Sequence, residues 1–163
     1  MDVRPATTPE RWAELYRERF PRLYRALVAI LRDSEASRDA LHDAFAEGLQ
    51  HPPRRDDNLT GWLFRVALRR ARRSPMRPLW SRLADAAFAS PVDEELARAL
   101  DRIEVAELLG RLTPRQRAMV VAQYYLDMPQ AEIAVVFSVR PGTVRATISH
   151  ALARMRKGES GAV

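Results

Sequence analysis

Apolar residues return every third or fourth position through most of the chain, the pattern of helices with one face turned inward. In "TPERWAELYRERFPRLYRALVAILRD" they are Trp12, Leu15, Tyr16, Phe20, Leu23, Tyr24, Leu27 and Leu31. Thr8 followed by Pro9 predicts the start, with a hydroxyl to cap the helix and a proline at its first position. Pro21, in mid-run, is where this helix is expected to break or kink. "SEASRDALHDAFAEGLQH" repeats the spacing with Ala40, Leu41, Ala44, Phe45 and Leu49. "HPPRRDDNLT" reads as a loop, and "TGWLFRVALRRARR" as a third helix capped by Thr60.

Prolines at 75, 78 and 91 punctuate the next stretch, a joint spanning residues 74–92. Its Leu79, Trp80, Leu83 and Phe88 are too apolar for a free linker, so part of it is expected to dock. Beyond it, Leu96, Leu100, Ile103 and Leu108 line one helical face, and Gly110 suits the C-terminal cap. Thr113 and Pro114 begin another helix. No strand alternation and no internal repeat is present. The chain reads as all-α, with two small helical domains at 8–73 and 93–157.

The last two helices share the form of a helix-turn-helix. "QAEIAVVF" offers Ile133, Ala134 and Phe137 to an inner face, with Ala134 small where the helices approach. Val139 plugs the turn. Val144, Ile148, Leu152 and Met155 recur at helical spacing and point inward along "PGTVRATISHALARMRK". Thr143, Arg145, Ala146, Ser149 and His150 are left outward near its start, with Arg154, Arg156 and Lys157 further along. Pro141 fits the first helical position, and Gly142 permits close backbone approach. Ser138 stands where such turns usually carry a glycine at positive φ, a conformation serine adopts at small cost. The other reading is a helical hairpin with a solvated basic face.

Charge sharpens this picture. The chain carries a formal net charge of +6, and Lys157 is its only lysine. Arginine forks suit phosphates and guanine edges, although a GC-rich genome enriches arginine as well. Residues 65–77 hold six arginines and no acid, and residues 140–157 hold five basic side chains and no acid. Residues 93–107, by contrast, hold six acids against two arginines. Both basic segments are expected to face nucleic acid.

"LYRERFPRLYRALVAILRDSEASRDALHDAFAEGLQ" followed by "GWLFRVALRRARR" resembles the promoter-melting domain of extracytoplasmic-function (ECF) sigma factors, members of the sigma-70 family. "LGRLTPRQRAMVVAQYYLDMPQAEIAVVFSVRPGTVRATISHALARMRK" resembles their domain that reads the −35 element. The likeness covers about Leu15 to Arg73 and Glu94 to Lys157, in the family's order. It implies binding to core RNA polymerase through the β′ coiled coil and the β flap, and promoter DNA as the second partner. An anti-sigma factor is a further implied partner. By the same resemblance, Asp39, Leu41, His42, Asp43 and Phe45 fall on the β′-binding helix, with His42 where the family more often has glutamine. The helix carrying Trp62, Arg65, Arg69, Arg70, Arg72 and Arg73 falls on the −10 element, and the loop with Asp56, Asp57 and Asn58 on the pocket for a flipped base. Arg140, Thr143, Arg145, Ala146, Ser149, His150 and Arg154 fall on the −35 element. From chemistry alone, Trp62 reads better as core, and the loop residues equally as a plain turn.

Other functions find little support. The chain has no cysteine, and its three histidines are scattered, so thiolate metal sites are excluded and no metal cage or cofactor is expected. Neither a Ser-His-Asp arrangement nor a phosphate-cradling glycine loop is present, so no enzyme is expected. No signal segment or membrane span is apparent, and a cytoplasmic protein is expected. A stand-alone DNA-binding regulator stays open as an alternative, its first lobe serving dimerisation or sensing. So does a sigma-like protein that only sequesters a partner.

Overall fold

The computed structural model describes residues 8–55, 58–73 and 103–159, and all regular structure among them is helical. The helices are α1 (Pro9–Leu31), α2 (Ser34–Gln50), α3 (Leu59–Arg73), α4 (Ile103–Gly110), α5 (Pro114–Tyr124), α6 (Gln130–Phe137) and α7 (Pro141–Glu159). They fall into two units: the first holds α1 up to Val28 with α2 and α3, and the second holds α4 to α7 together with Ala29–Arg32. The joint at 74–92, with Trp80 and Phe88, lies outside the described residues, as do Leu96, Leu100, Asp56 and Asp57.

In the first unit the inward stripe of α1 forms as its spacing requires. Trp12, Leu15, Leu23 and Leu27 are buried, whereas Tyr16 is exposed and Phe20, Tyr24 and Leu31 are half-buried. Thr8 holds the start, its hydroxyl accepting from the Arg11 N–H at 3.4 Å and its carbonyl from the Trp12 N–H at 3.0 Å. Pro21 does not break the helix, which runs through it. The proline is exposed, so water can take the hydrogen bond that the Arg17 carbonyl loses.

α2 is capped by Asp33, whose carboxylate accepts from the Ala36 N–H at 2.8 Å, while the buried Ser37 hydroxyl donates to the Asp33 carbonyl. Ala40, Leu41, Ala44 and Phe45 are buried as expected, but Leu49 is 55 % exposed. Gly48 explains the close packing here: a Cβ at that position would run into the Trp12 indole. Trp12 then meets Phe45 and Trp62 edge-to-face, with ring centroids 6.1 and 6.0 Å apart. Such pairs add about 0.5–1.5 kcal/mol each to simple burial.

α3 is buried more widely than its sequence suggests. Leu63, Val66 and Ala67 face inward, but so do Leu59, Phe64, Leu68 and Ala71. Its cap also moves. The helix begins at Leu59, and Asn58, not Thr60, closes the first turn by accepting from the Gly61 N–H at 2.8 Å. Gly61 leaves the room this carboxamide occupies, since a Cβ there would collide with it.

The second unit has an aliphatic core: Leu109, Leu112, Met119, Val121, Ile133, Val144 and Ile148 are all buried. Gly110 takes no positive φ and is the last residue of α4. The turn is tightened instead by the Arg111 and Leu112 amides, which donate to Leu108 and Leu109. Thr113 then starts α5 with a full capping box, exchanging hydrogen bonds with Gln116. Arg117, only 8 % exposed, clasps the α4–α5 turn by donating to the Leu109 carbonyl at 2.8 Å and the Leu112 carbonyl at 3.1 Å.

Candidate nucleic-acid interface

α6 and α7 form the helix-turn-helix, and the turn is built by backbone conformation. Ser138 sits at φ 53°, ψ 47°, the left-handed region, so the expected glycine-like position is real and a serine fills it. This lets the Val139 N–H reach back to the Ala134 carbonyl at 2.9 Å and the Ser138 N–H to Val135 at 3.2 Å, closing the end of α6. α7 restarts three residues later, with the Thr143 N–H on the Arg140 carbonyl at 2.9 Å.

The inner face of the motif is as the spacing predicts, with one addition. Ile133, Ala134, Val144 and Ile148 are buried, and Phe137, Val139, Leu152 and Met155 are half-buried. Ala151, fully buried and overlooked in the pattern because alanine is a weak hydrophobic signal, completes the seam.

The outer face of α7 is open. Thr143, Arg145, Ala146, Ser149 and His150 are all exposed, as is Arg140 just before the helix. Open space surrounds Gly142, where a Cβ would meet nothing within 4 Å. This surface carries hydroxyls, an imidazole and guanidinium groups with no acid among them, which suits base edges and phosphates in a groove as wide as a helix. Arg154 departs from the set. Its Nη2 donates to the Arg111 carbonyl at 3.1 Å, so it braces α7 against the α4–α5 turn.

The basic helix of the first unit is less open than its sequence implies. Arg65, Arg72 and Arg73 are exposed. Arg69 and Arg70 instead converge on Glu47 of α2. Arg69 Nη2 lies 2.7 Å from Oε1, and Arg70 Nη2 and Nε lie 2.6 and 3.2 Å from Oε2. The hydrogen bond from Arg70 is the main reason the Glu47 carboxyl is held below the ordinary carboxylate range, with burial opposing it. Sequence reading missed Glu47; the one available signal was an acid one helical turn beyond Asp43. Two further site expectations change character. Trp62 is half-buried against Trp12, a core contact, and the Asn58 carboxamide oxygen is occupied as the helix cap.

On α2, the exposed members of the docking set are Asp39, His42 and Asp43. Leu41 and Phe45 are 0 % and 5 % exposed, so they shape the helix from inside and offer a partner no surface. His42 is held by the aromatic ridge of α1: its Nε2 is 3.0 Å from the Tyr16 hydroxyl, and its ring stacks on Phe20 at 5.1 Å. An acidic helix face flanked by the exposed Tyr16 ring and the half-buried Phe20 ring thus lies on the first unit. Among the described residues, no helix is long and apolar enough to cross a membrane.

Comparison with known proteins gives the family of the chain. Residues 102–155 match the family model for Sigma-70, region 4. The ECF RNA polymerase sigma factor SigM of Mycobacterium tuberculosis is 31 % identical over 153 residues, covering 88 % of this chain and 74 % of that protein. The RNA polymerase sigma-E factor of Streptomyces coelicolor is 35 % identical over 68 residues, which is 42 % of this chain and 38 % of its own length. In fold, the chain is similar to CnrH, solved in complex with the cytosolic domain of CnrY, with a TM-score of 0.70 at 22 % identity over 96 % of this chain and 92 % of that one. The likeness to SigM runs through both units, which disfavours a first lobe that serves an unrelated regulator.

Proposed function

The chain belongs to the ECF family of RNA polymerase sigma factors, and on that premise we propose how its surfaces divide the work. The outer face of α7 enters the major groove of the −35 element, with Arg140, Thr143, Arg145, Ala146, Ser149 and His150 against bases and phosphates. Arg65, Arg72 and Arg73 of α3 attract the backbone of the −10 region. Asp56 and Asp57, which precede α3 in sequence, receive a base from the opened strand. Asp39, His42 and Asp43 of α2 dock on the β′ coiled coil, while the second unit binds the β flap. The work is binding throughout, since promoter opening needs conformational energy and no bond chemistry in this subunit.

One observation carries this reading: Thr143, Arg145, Ala146, Ser149 and His150 on α7 are exposed and free of acid, while Val144, Ile148 and Ala151 fix the helix from behind. The expected site of action is the cytoplasm, where promoter and polymerase meet. CnrH, of the same fold, was solved bound to the cytosolic domain of CnrY. That supports a similar protein partner, an anti-sigma factor, for this chain.

Run-off transcription with purified core RNA polymerase on a library of promoter fragments tests the proposal. Transcripts that require the protein, and are lost with Arg145→Ala or Asp43→Ala, support it. A tight shift of duplex DNA by the protein alone, with no dependent transcripts, would return the stand-alone regulator.

A further inference from the structure

The clasp between α2 and α3 has a geometry that stability alone does not explain. The Glu47 carboxylate presents one oxygen to each of two guanidinium groups that are neighbours in sequence. The side chains of Arg69 and Arg70 remain 42 % and 44 % exposed, while that of Glu47 is 20 % exposed. Ion pairs this open to water stabilise a fold little. The arrangement also leaves Arg69 Nε buried without a hydrogen-bond partner, a cost that a purely structural link would not need. A carboxylate held by two guanidinium forks has the charge sign and the acceptor pattern of a backbone phosphate in the same place.

We infer that Glu47 is an internal stand-in for a DNA phosphate, holding Arg69 and Arg70 away from free nucleic acid and yielding them only to a strand that the polymerase presses along α3. Glu47 is then a positioning residue: it touches no DNA and acts through the two arginines. The free protein binds single-stranded nucleic acid through fewer cations than its sequence carries. Arg69 and Arg70 join only when a strand is delivered to them. Asp43, one turn earlier on α2, adds to the attraction on Arg70. The inference rests on the reading of α3 as the helix that faces the promoter strand.

The test measures how affinity falls with salt, because each phosphate contact to a single strand adds about 0.7 to the slope of log affinity against log salt. The full-length protein is titrated with a mixed-sequence single-stranded DNA oligonucleotide across a range of salt. Glu47→Gln is expected to steepen the slope by about 1.4 and to tighten binding roughly tenfold at low salt, as two arginines are released. Glu35→Gln removes the same charge from the exposed start of α2 and controls for net charge; it is expected to change the slope little. The double variant Arg69→Gln/Arg70→Gln is expected to leave the native slope unchanged, yet to cancel the gain in the Glu47→Gln background. A native slope that already drops by about 1.4 on removing both arginines overturns the inference, since they would reach DNA despite Glu47. So does a Glu47→Gln effect no larger than that of Glu35→Gln. If Glu47→Gln fails to fold, the double arginine variant in the native background still decides. No polymerase or promoter enters this assay, so its failure is separate from failure of native run-off transcription, which bears on the sigma-factor reading.

Discussion

The two units both present a basic helix, and they treat it in opposite ways. In the second, α7 is gripped on its inner face by Val144, Ile148 and Ala151 and leaves Arg140 and Arg145 open to solvent. In the first, α3 is buried on more than one side, and an acid from the neighbouring helix takes two of its arginines. A count of arginines therefore misstates the first surface more than the second. The cores differ as well. The first closes around Trp12, Phe45 and Phe64, the second around aliphatic side chains.

The contrast in cores is the easiest to break. Trp12→Ala removes the ring that Gly48 makes room for and is expected to cost the first unit about 3–5 kcal/mol, read by chemical denaturation. Gly48→Ala acts in the same direction by forcing the indole aside. Were either variant as stable as the native protein, the aromatic seam would not hold that unit together. The open surface comes next. Arg145→Ala is expected to weaken promoter binding by the reconstituted holoenzyme by about 1–3 kcal/mol with the melting temperature unchanged, because the side chain packs on nothing that the fold requires.

Backbone effects are smaller. Ser138→Gly relieves the left-handed strain at the turn and is expected to stabilise the second unit by roughly 1 kcal/mol, whereas Ser138→Val, β-branched, lowers stability. Thr113→Ala and Asn58→Ala each remove a helix cap, one per unit, and each is expected to cost about 1 kcal/mol. A neutral Asn58→Ala would mean that the carboxamide serves something other than the start of α3.

The smallest expected effect is a pH dependence confined to the first unit. Arg70 holds the folded Glu47 carboxyl below its unfolded value, so the clasp contributes at neutral pH and fades as pH falls through that lowered range. Denaturation of native protein and Glu47→Gln at several pH values is therefore expected to differ at pH 7 and to converge in strong acid. A gap that widens on acidification would contradict this sign.

Much of the second unit was legible residue by residue. The spacing of Ile133, Ala134, Val144 and Ile148 describes a helix-turn-helix seam, and the glycine-like demand at position 138 was visible before the φ angle was known. Both are local matters, decided within a few residues of the position concerned. Alanine was the blind spot, as Ala151 shows. In the first unit the same reasoning placed Trp12, Leu41 and Phe45 inside. The family resemblance, in contrast, placed Leu41 and Phe45 on a docking helix, where both side chains are buried. Pro21 and Thr60 misled for a related reason: a proline on the wet side of a helix costs little, and Asn58 offered a better-placed acceptor two residues earlier.

Helical class, the two basic segments and the form of the reading motif followed from the sequence itself, because periodicity and turn chemistry act over a few residues. Tertiary structure alone decided which arginines are available. Glu47 meets Arg69 and Arg70 across 22 and 23 residues. Arg154 finds the Arg111 carbonyl and Arg117 the α4–α5 turn, pairings that no period announces. A guanidinium on a flexible stem bonds whatever acceptor the fold brings within about 3 Å, and only packing determines which acceptor that is.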